Sequence, residues 1–228
     1  MVFVNIGVSN LFDFSKVDNF DKHINMAIPH YDTLIKNFSG LINYYSQFES
    51  AVLDLGCSTG SLLGALQKKD SCTYIGVDKI HFKENSSAQK KWKFVQDDIE
   101  NYLSNNIFSS YSVISCVFTL QFLPQQKRKN VLNYIKQHIN SNTVFLVSEK
   151  VYLDNAKLQT LIHKLHLEEK RKNFEDKDIL DKELQLMNSM FCLSETELYK
   201  ELAELGKVTK IWQSYNFMGF VINGYDRK

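Results

Sequence analysis

The chain has 228 residues, 44% hydrophobic, 13% aromatic and 23% charged, a globular balance that excludes disordered, fibrous and collagen-like chains. Its 27 basic and 26 acidic side chains leave a formal net charge of +1, so no bulk electrostatic attraction draws it to nucleic acid or an anionic membrane. No apolar run of about 18 residues could cross a bilayer, and the mildly apolar start, Met1 to Asn10, lacks the basic and long apolar stretches of a secretory signal.

The four cysteines, Cys57, Cys72, Cys116 and Cys192, form no CxxC pair and no metal-ligand spacing, the pattern of reduced thiols in a cytoplasmic protein. With two prolines and nine glycines, no flexible linker divides the chain, and a single domain is expected. From Val17 to about Ser46, apolar residues recur every three or four positions. That spacing predicts two helices, broken near Pro29 because proline disfavours the helical state in the residue before it. Ala51 to Leu55 reads as a first strand running into a glycine turn, and helical spacing resumes at Leu62 to Leu66. Tyr74 to Asp78, Lys93 to Gln96, Ser112 to Phe118 and Thr143 to Ser148 read as four further strands, with a helix around Val131 to Ile139. Strands alternating with helices at this density predict a parallel sheet covered on both faces.

After Ser148 the alternation stops. Leu158, Leu161, Ile162 and Leu165 form an amphipathic stripe, and Glu168 to Glu183 carries twelve charges in sixteen residues, seven acidic and five basic. Such a mixed run reads as a solvated helical face or exposed loop. A helix over roughly Glu195 to Leu205 ends at Gly206, and Val208 to Trp212 and Phe217 to Ile222 follow without an intervening helix. They are expected to form an antiparallel hairpin at one sheet edge.

The segment Val52-Leu-Asp-Leu-Gly-Cys-Ser-Thr-Gly60 carries the chemistry. Glycines at 56 and 60 let a ligand approach the backbone, and the following helix start offers unpaired N–H groups. The spacing is Gly-x-x-x-Gly and not the dinucleotide GxGxxG. Asp78, 24 positions after Asp54, stands where a carboxylate can accept both hydroxyls of a ribose. Asp98 and Ile99, after the third strand, suit an adenine amine and ring. Each feature alone has a packing explanation. Three in order, at the carboxyl ends of successive strands, point to a nucleoside site.

With these motifs the sequence resembles the class I S-adenosylmethionine (SAM)-dependent methyltransferases. It is most similar to the carboxy-SAM synthase family (CmoA type), which serves wobble-uridine modification in bacterial tRNA. The matching stretches are Ile28-Pro-His-Tyr31, Asp54-Leu-Gly-Cys-Ser58, Phe118-Thr-Leu-Gln-Phe-Leu123, Ser148-Glu-Lys150 and Asn216-Phe217. The resemblance implies a Rossmann-like α/β sheet of seven strands with N-terminal helices and a helical insertion before the last two strands. The expected divisions are an N-terminal helical lid (1–48), a nucleoside-binding core (49–150), an insertion (151–205) and a terminal hairpin (206–228). The resemblance also implies SAM as cofactor and a homodimer. Tyr31 would contact the ligand, Gly56, Cys57 and Ser58 would hold its amino-acid part, Asp78 its ribose, and Asp98 and Ile99 its adenine. Asp54, Gly60 and Val117 complete the expected cofactor-binding set, with no metal.

Two positions depart from that family. Val117 replaces an asparagine, and Glu183-Leu184 stands where the family has a Lys-Arg pair whose arginine holds an extra carboxylate. A buried carboxylate needs a cation or several donors. The expectation is therefore ordinary SAM-dependent methyl transfer to a small-molecule or peptide-like acceptor, without direct nucleic-acid binding. The alternatives are a carboxy-SAM synthase acting on SAM and prephenate, and a non-catalytic SAM-binding protein. Tyr31 and Glu149 are the candidate catalytic residues. His163, His166 and Glu169 could share a helix face but lack a further metal ligand. Tyr44, Phe118, Phe122 and Trp212 are expected in the core, Cys57 as a packing residue, and Lys127-Arg-Lys-Asn130 on the surface.

Overall fold

A computed structural model describes residues 19–46, 49–86, 91–106 and 111–225. The start Met1 to Asn10, and the first residues of the helical pattern that begins at Val17, lie outside the described residues. Two helices open the described chain, α1 (Phe20–Ala27) and α2 (Tyr31–Tyr45). The side chain of Asn19 caps α1 by accepting from Lys22 N at 3.1 Å, and Pro29 lies in the break between the helices. Then follow β1 (Ala51–Leu55), α3 (Ser61–Gly64), β2 (Thr73–Asp78), β3 (Lys93–Gln96), α4 (Ile99–Asn105), β4 (Tyr111–Val117), α5 (Gln125–His138) and β5 (Val144–Lys150). The insertion is α6 (Ala156–Lys170) and α7 (Asp176–Met187). The chain ends in α8 (Glu195–Ala203), β6 (Gly206–Ser214) and β7 (Phe217–Gly224).

The strands form one sheet in the order β3-β2-β1-β4-β5-β7-β6. Strands β1 to β5 pair in parallel, and β7 runs antiparallel to both β5 and β6. This is the expected α/β sheet with its terminal hairpin at one edge. Successive side chains of a strand point to opposite faces, and that alternation divides the core. Leu53, Ile75, Ile114 and Phe145 pack on one face with α4, α5 and α8 residues such as Leu103, Ile135 and Leu202. Val52, Tyr74, Val113 and Leu146 pack on the other with Leu34, Phe38 and Ile42 of α2 and Leu62 and Leu63 of α3. All five β1 residues are buried, whereas the edge strand β6 alternates buried and exposed positions for most of its length.

Four expectations are corrected. Tyr44 is 80% exposed, because the core-facing stripe of α2 runs through Leu34, Phe38 and Ile42 and leaves Tyr44 on the other side. Arg128, expected on the surface, is 3% exposed and ion-paired to Glu149 and Glu201. Gly206 does not stop a helix. It opens β6 opposite Gly224, where a Cβ would meet the Asn223 carbonyl oxygen at 2.1 Å. The charge run Glu168 to Glu183 is only partly a solvated face, since α7 folds over a cavity and turns Lys182 into it. No helix among the described residues is long and apolar enough to cross a membrane.

Candidate functional site

Strand order reverses between β1 and β4, each a neighbour of the other but reached in opposite directions along the chain. In open α/β sheets ligands bind at such a switch point, beyond the carboxyl ends of the strands. A cavity of about 580 Å³ lies there. Asp54, Gly56, Asp78, Val117 and Lys150 reach it from the ends of β1, β2, β4 and β5, α1 and Tyr31 line it from the N-terminal side, and α6 and α7 close it from the insertion.

The glycine turn follows β1. Gly56 and Gly60 adopt φ of 73° and 81°, and Ser58 between them has φ 50°, all in the left-handed region that glycine tolerates best. A Cβ on Gly56 would lie 2.2 Å from Thr119 Oγ1, and one on Gly60 2.2 Å from the Trp92 ring. The two glycines thus have different tasks. Gly56 faces the cavity, while Gly60 admits the indole that backs the turn and is not among the cavity residues. Gly60 is accordingly withdrawn from the cofactor-binding set. Cys57 is a buried packing residue, its sulfur 2.8 Å from where a Gly76 Cβ would stand.

Asp78 accepts from Ser58 N through one carboxylate oxygen and from Ile80 N through the other, both at 2.9 Å. It therefore organises the turn as well as facing the cavity. Burial pushes its pKa up, and the two backbone donors oppose that shift. Asp98 caps α4 by accepting from Glu100 N at 3.0 Å and pairs with Lys127 at 3.1 Å. Asp98 and Ile99 both line the cavity. Asp54 is fully buried and hydrogen-bonded by the Ser115 hydroxyl at 2.8 Å. Burial first, and Asp78 nearby, raise its pKa to about 7 against that hydrogen bond. Tyr31 is buried, its ring 6.2 Å from that of Phe118. Burial, then Asp54 and Asp21, push its phenol well above the usual range, so the phenol stays protonated at neutral pH.

Glu149 does not reach the cavity. It is 1% exposed, and one carboxylate oxygen takes Arg128 Nη1 at 3.1 Å. Along β5 successive side chains face opposite ways, so Lys150 turns to the cavity and Glu149 turns away, and the expected catalytic role is withdrawn. His166 is likewise committed. Its Nε2 donates to the Ala27 carbonyl at 3.1 Å, with its ring 5.2 Å from Phe217. Burial and then Lys170 lower its pKa to about 4. Glu169 pairs with Lys172 at 2.6 Å. No group of metal-ligating side chains is assembled among the described residues.

Three lysines around the cavity are brought together only by the fold. Asp21, Asp54 and Asp78 gather with Lys79 on the side of β1, β2 and α1, whereas Lys150, Lys170 and Lys182 line the side of β5, α6 and α7, where Asp178 and Asp181 of α7 also border the cavity. Lys170 pairs with Glu183 at 3.2 Å, and Lys182 hydrogen-bonds His23 Nε2 of α1. Burial, then Lys170 and Lys150, lower the Lys182 pKa to about 8. Burial, then Lys170, also lowers that of Lys150, which lies 5.9 Å over the Phe217 ring. Leu184, the position expected to replace a carboxylate-binding arginine, is 44% exposed on the far side of α7 and does not line the cavity.

Gln121, from the Phe-Thr-Leu-Gln-Phe-Leu stretch, fixes the lysine end. Its Oε1 accepts from Lys150 N at 2.7 Å, and its carbonyl accepts from Phe191 N at 2.6 Å.

A family model described as a methyltransferase domain matches residues 52–142. The chain is 30% identical over 224 residues to the carboxy-S-adenosyl-L-methionine synthase of Hydrogenovibrio crunogenus, an alignment covering 92% of this chain and 87% of that protein. It is 28% identical over 225 residues to the synthase of the same name from Pseudoalteromonas translucida, covering 92% and 91% of the two chains. Among solved structures, the plantazolicin methyltransferase BpumL in complex with SAH is similar with a TM-score of 0.60 at 13% identity, over 92% of this chain and 93% of that one. At that identity the likeness speaks for the fold alone.

Proposed function

The chain belongs to the carboxy-S-adenosyl-L-methionine synthase family of the class I SAM-dependent methyltransferase fold, and we propose that it uses SAM with a carboxylate-bearing second substrate to make carboxy-SAM. The supporting observation is that three lysines, Lys150, Lys170 and Lys182, line the β5, α6 and α7 side of the cavity, across from Asp54 and Asp78. SAM carries a sulfonium and an ammonium, which suit Asp54 and Asp78, and a carboxylate suits the lysines. Asp78 would hold the ribose, Asp98 and Ile99 the adenine, and Gly56, Cys57 and Ser58 the amino-acid part. When bound, SAM supplies an activated one-carbon group on its sulfonium. The missing arginine argued against a carboxylated ligand, but Lys182 enters the cavity one position away from Glu183. Plain methyl transfer to a small-molecule acceptor is the second reading, favoured by the apolar Val117 at the cavity wall.

Mass spectrometry of the small molecule released on denaturing freshly purified protein separates these readings. Carboxy-SAM is expected. SAM or S-adenosylhomocysteine alone would favour the second reading, and a protein that also fails to bind added SAM would remove the donor site. Lys182→Ala is expected to weaken the carboxylate-bearing substrate, tested as prephenate, by about 10- to 100-fold while SAM affinity holds, the loss of one charge-assisted hydrogen bond. Equal weakening of both ligands would take Lys182 out of the second-substrate site. A homodimer through the insertion is part of this reading. Leu158, Leu161 and Leu165 of α6 and Leu180, Leu184 and Met187 of α7 form exposed apolar stripes. Light scattering should give twice the chain mass, and a monomer at micromolar concentration would count against it.

A further inference from the structure

Helix α1 buries none of its residues fully; Ile24 packs against the core and the Phe20 ring lies 5.6 Å from that of Phe82, and polar contacts with its neighbours add to what holds it over the cavity. On one wall, Asp21 Oδ1 accepts hydrogen bonds from Thr59 Oγ1 and from Ser61 Oγ, both at 2.6 Å. These hydroxyls lie 3.0 Å apart, so they converge on one carboxyl oxygen. On the opposite wall, His23 meets Lys182 of α7, and the Ala27 carbonyl meets His166 of α6 at 3.1 Å. Thr59 and Ser61 flank Gly60 in the turn whose backbone holds three left-handed residues, one of them Ser58. A non-glycine residue in that region costs roughly 1 kcal/mol or more and persists only when its surroundings fix it. Asp78 and Asn85 fix the turn from the β2 side, at 2.9 Å to Ser58 N and to Ser58 O. Asp21 is the tie that reaches the turn from α1.

We propose that Asp21 is a positioning residue, through which α1 sets the glycine turn so that lid and turn close on the donor as one unit. The inference rests on the reading of this cavity as a donor site and gives Asp21, one of the acids lining it, a structural task. A ligand in the turn then tightens α1, and α1 in turn carries the closure to Lys182 at the second-substrate end. Elements held by few buried apolar contacts lie at the low-stability end of a fold and are the ones free to move with a ligand.

The test combines amide hydrogen exchange of residues 20–27 and 56–64 in the free protein with calorimetry of S-adenosylhomocysteine binding. Asp21→Ala is expected to speed exchange in both segments and to weaken S-adenosylhomocysteine about tenfold, the loss of two hydrogen bonds. Asp21→Asn keeps an oxygen that accepts both hydroxyls and should remain within about threefold of wild type. Thr59→Val with Ser61→Ala should reproduce the loss from the turn side and add nothing in the Asp21→Ala background. That double variant also carries the test if Asp21→Ala does not fold. Unchanged exchange at 56–64, or losses that simply add, would overturn the proposal. Coupled exchange in a wild-type protein that does not bind S-adenosylhomocysteine would instead overturn the donor reading and leave the tie standing.

Discussion

Arg128→Met is expected to lower the stability of the fold by about 3–5 kcal/mol, the range for breaking a buried ion pair from one side. The side chain is 4% exposed and ties its own helix to two other elements. It rises from α5, its Nη1 meets Glu149 at the end of β5 at 3.1 Å, and its Nη2 meets Glu201 of α8 at 2.7 Å. Without it Glu149 stays buried, and its Oε1 has no hydrogen-bond partner among the described residues even in the wild type. Burial already holds the Glu149 pKa at about 7 against the pull of Arg128, so the variant should keep Glu149 protonated. A neutral buried carboxyl is cheaper than a buried charge, which sets the upper end of the range. For a chain of this size the loss corresponds to a fall in Tm of roughly 6–20 °C. Adding Glu149→Leu should restore much of it, because replacing both partners with apolar groups is often close to neutral. A loss below about 1 kcal/mol in urea denaturation would show that the pair contributes little.

Arg128 also marks where sequence reading stops. In Lys127-Arg-Lys-Asn130 three adjacent cations look alike, and only the arrival of Glu149 and Glu201 from distant segments gives the middle one a buried partner. The strands were legible because those buried on both faces read as continuous apolar runs, such as Val52, Leu53 and Leu55 around a single Asp54. The glycine turn and Asp78 were legible because their spacing is local. Glu149 and Lys150 are neighbours in sequence, and which of them faces the cavity depends on the phase of β5, which no residue type reveals. The lysine end was hidden for a related reason. Glu168 to Glu183 has the composition of a solvated face, and Lys170 and Lys182 reach the cavity only because α6 and α7 pass over it. Asp21 lies far from Thr59 in the chain, and their hydrogen bond is a tertiary fact.

Asp54→Asn is expected to stabilise the free protein at pH 8 and to flatten its stability between pH 4 and 7. The sign follows from proton counting. Asp54 has a folded pKa of about 7 against an ordinary value of 3.8. Between those values the folded state holds a proton that the unfolded state has released, so stability falls as pH rises through the interval. At about 1.4 kcal/mol for each pH unit the difference is on the order of 4 kcal/mol, fully developed above pH 7 and absent below pH 4. His23 and His166, both lowered to about 4, act in the opposite sense between pH 4 and 6.5. They are common to both proteins and cancel in the difference between wild type and variant. Asparagine keeps the hydrogen bond from Ser115 through its amide oxygen, so the comparison isolates the charge. A difference curve that is flat with pH would show that Asp54 is ionised in the free protein. The same group links stability to function. A cationic donor beside Asp54 favours its ionised form, so wild-type protein should release a proton on binding SAM near pH 6.5, visible as a dependence of the calorimetric heat on buffer ionisation enthalpy. Asp54→Asn should bind SAM more weakly and release none. Ionised Asp54 is thus expected to cost stability in the free protein above pH 7, and a cationic donor bound beside it to offset that cost.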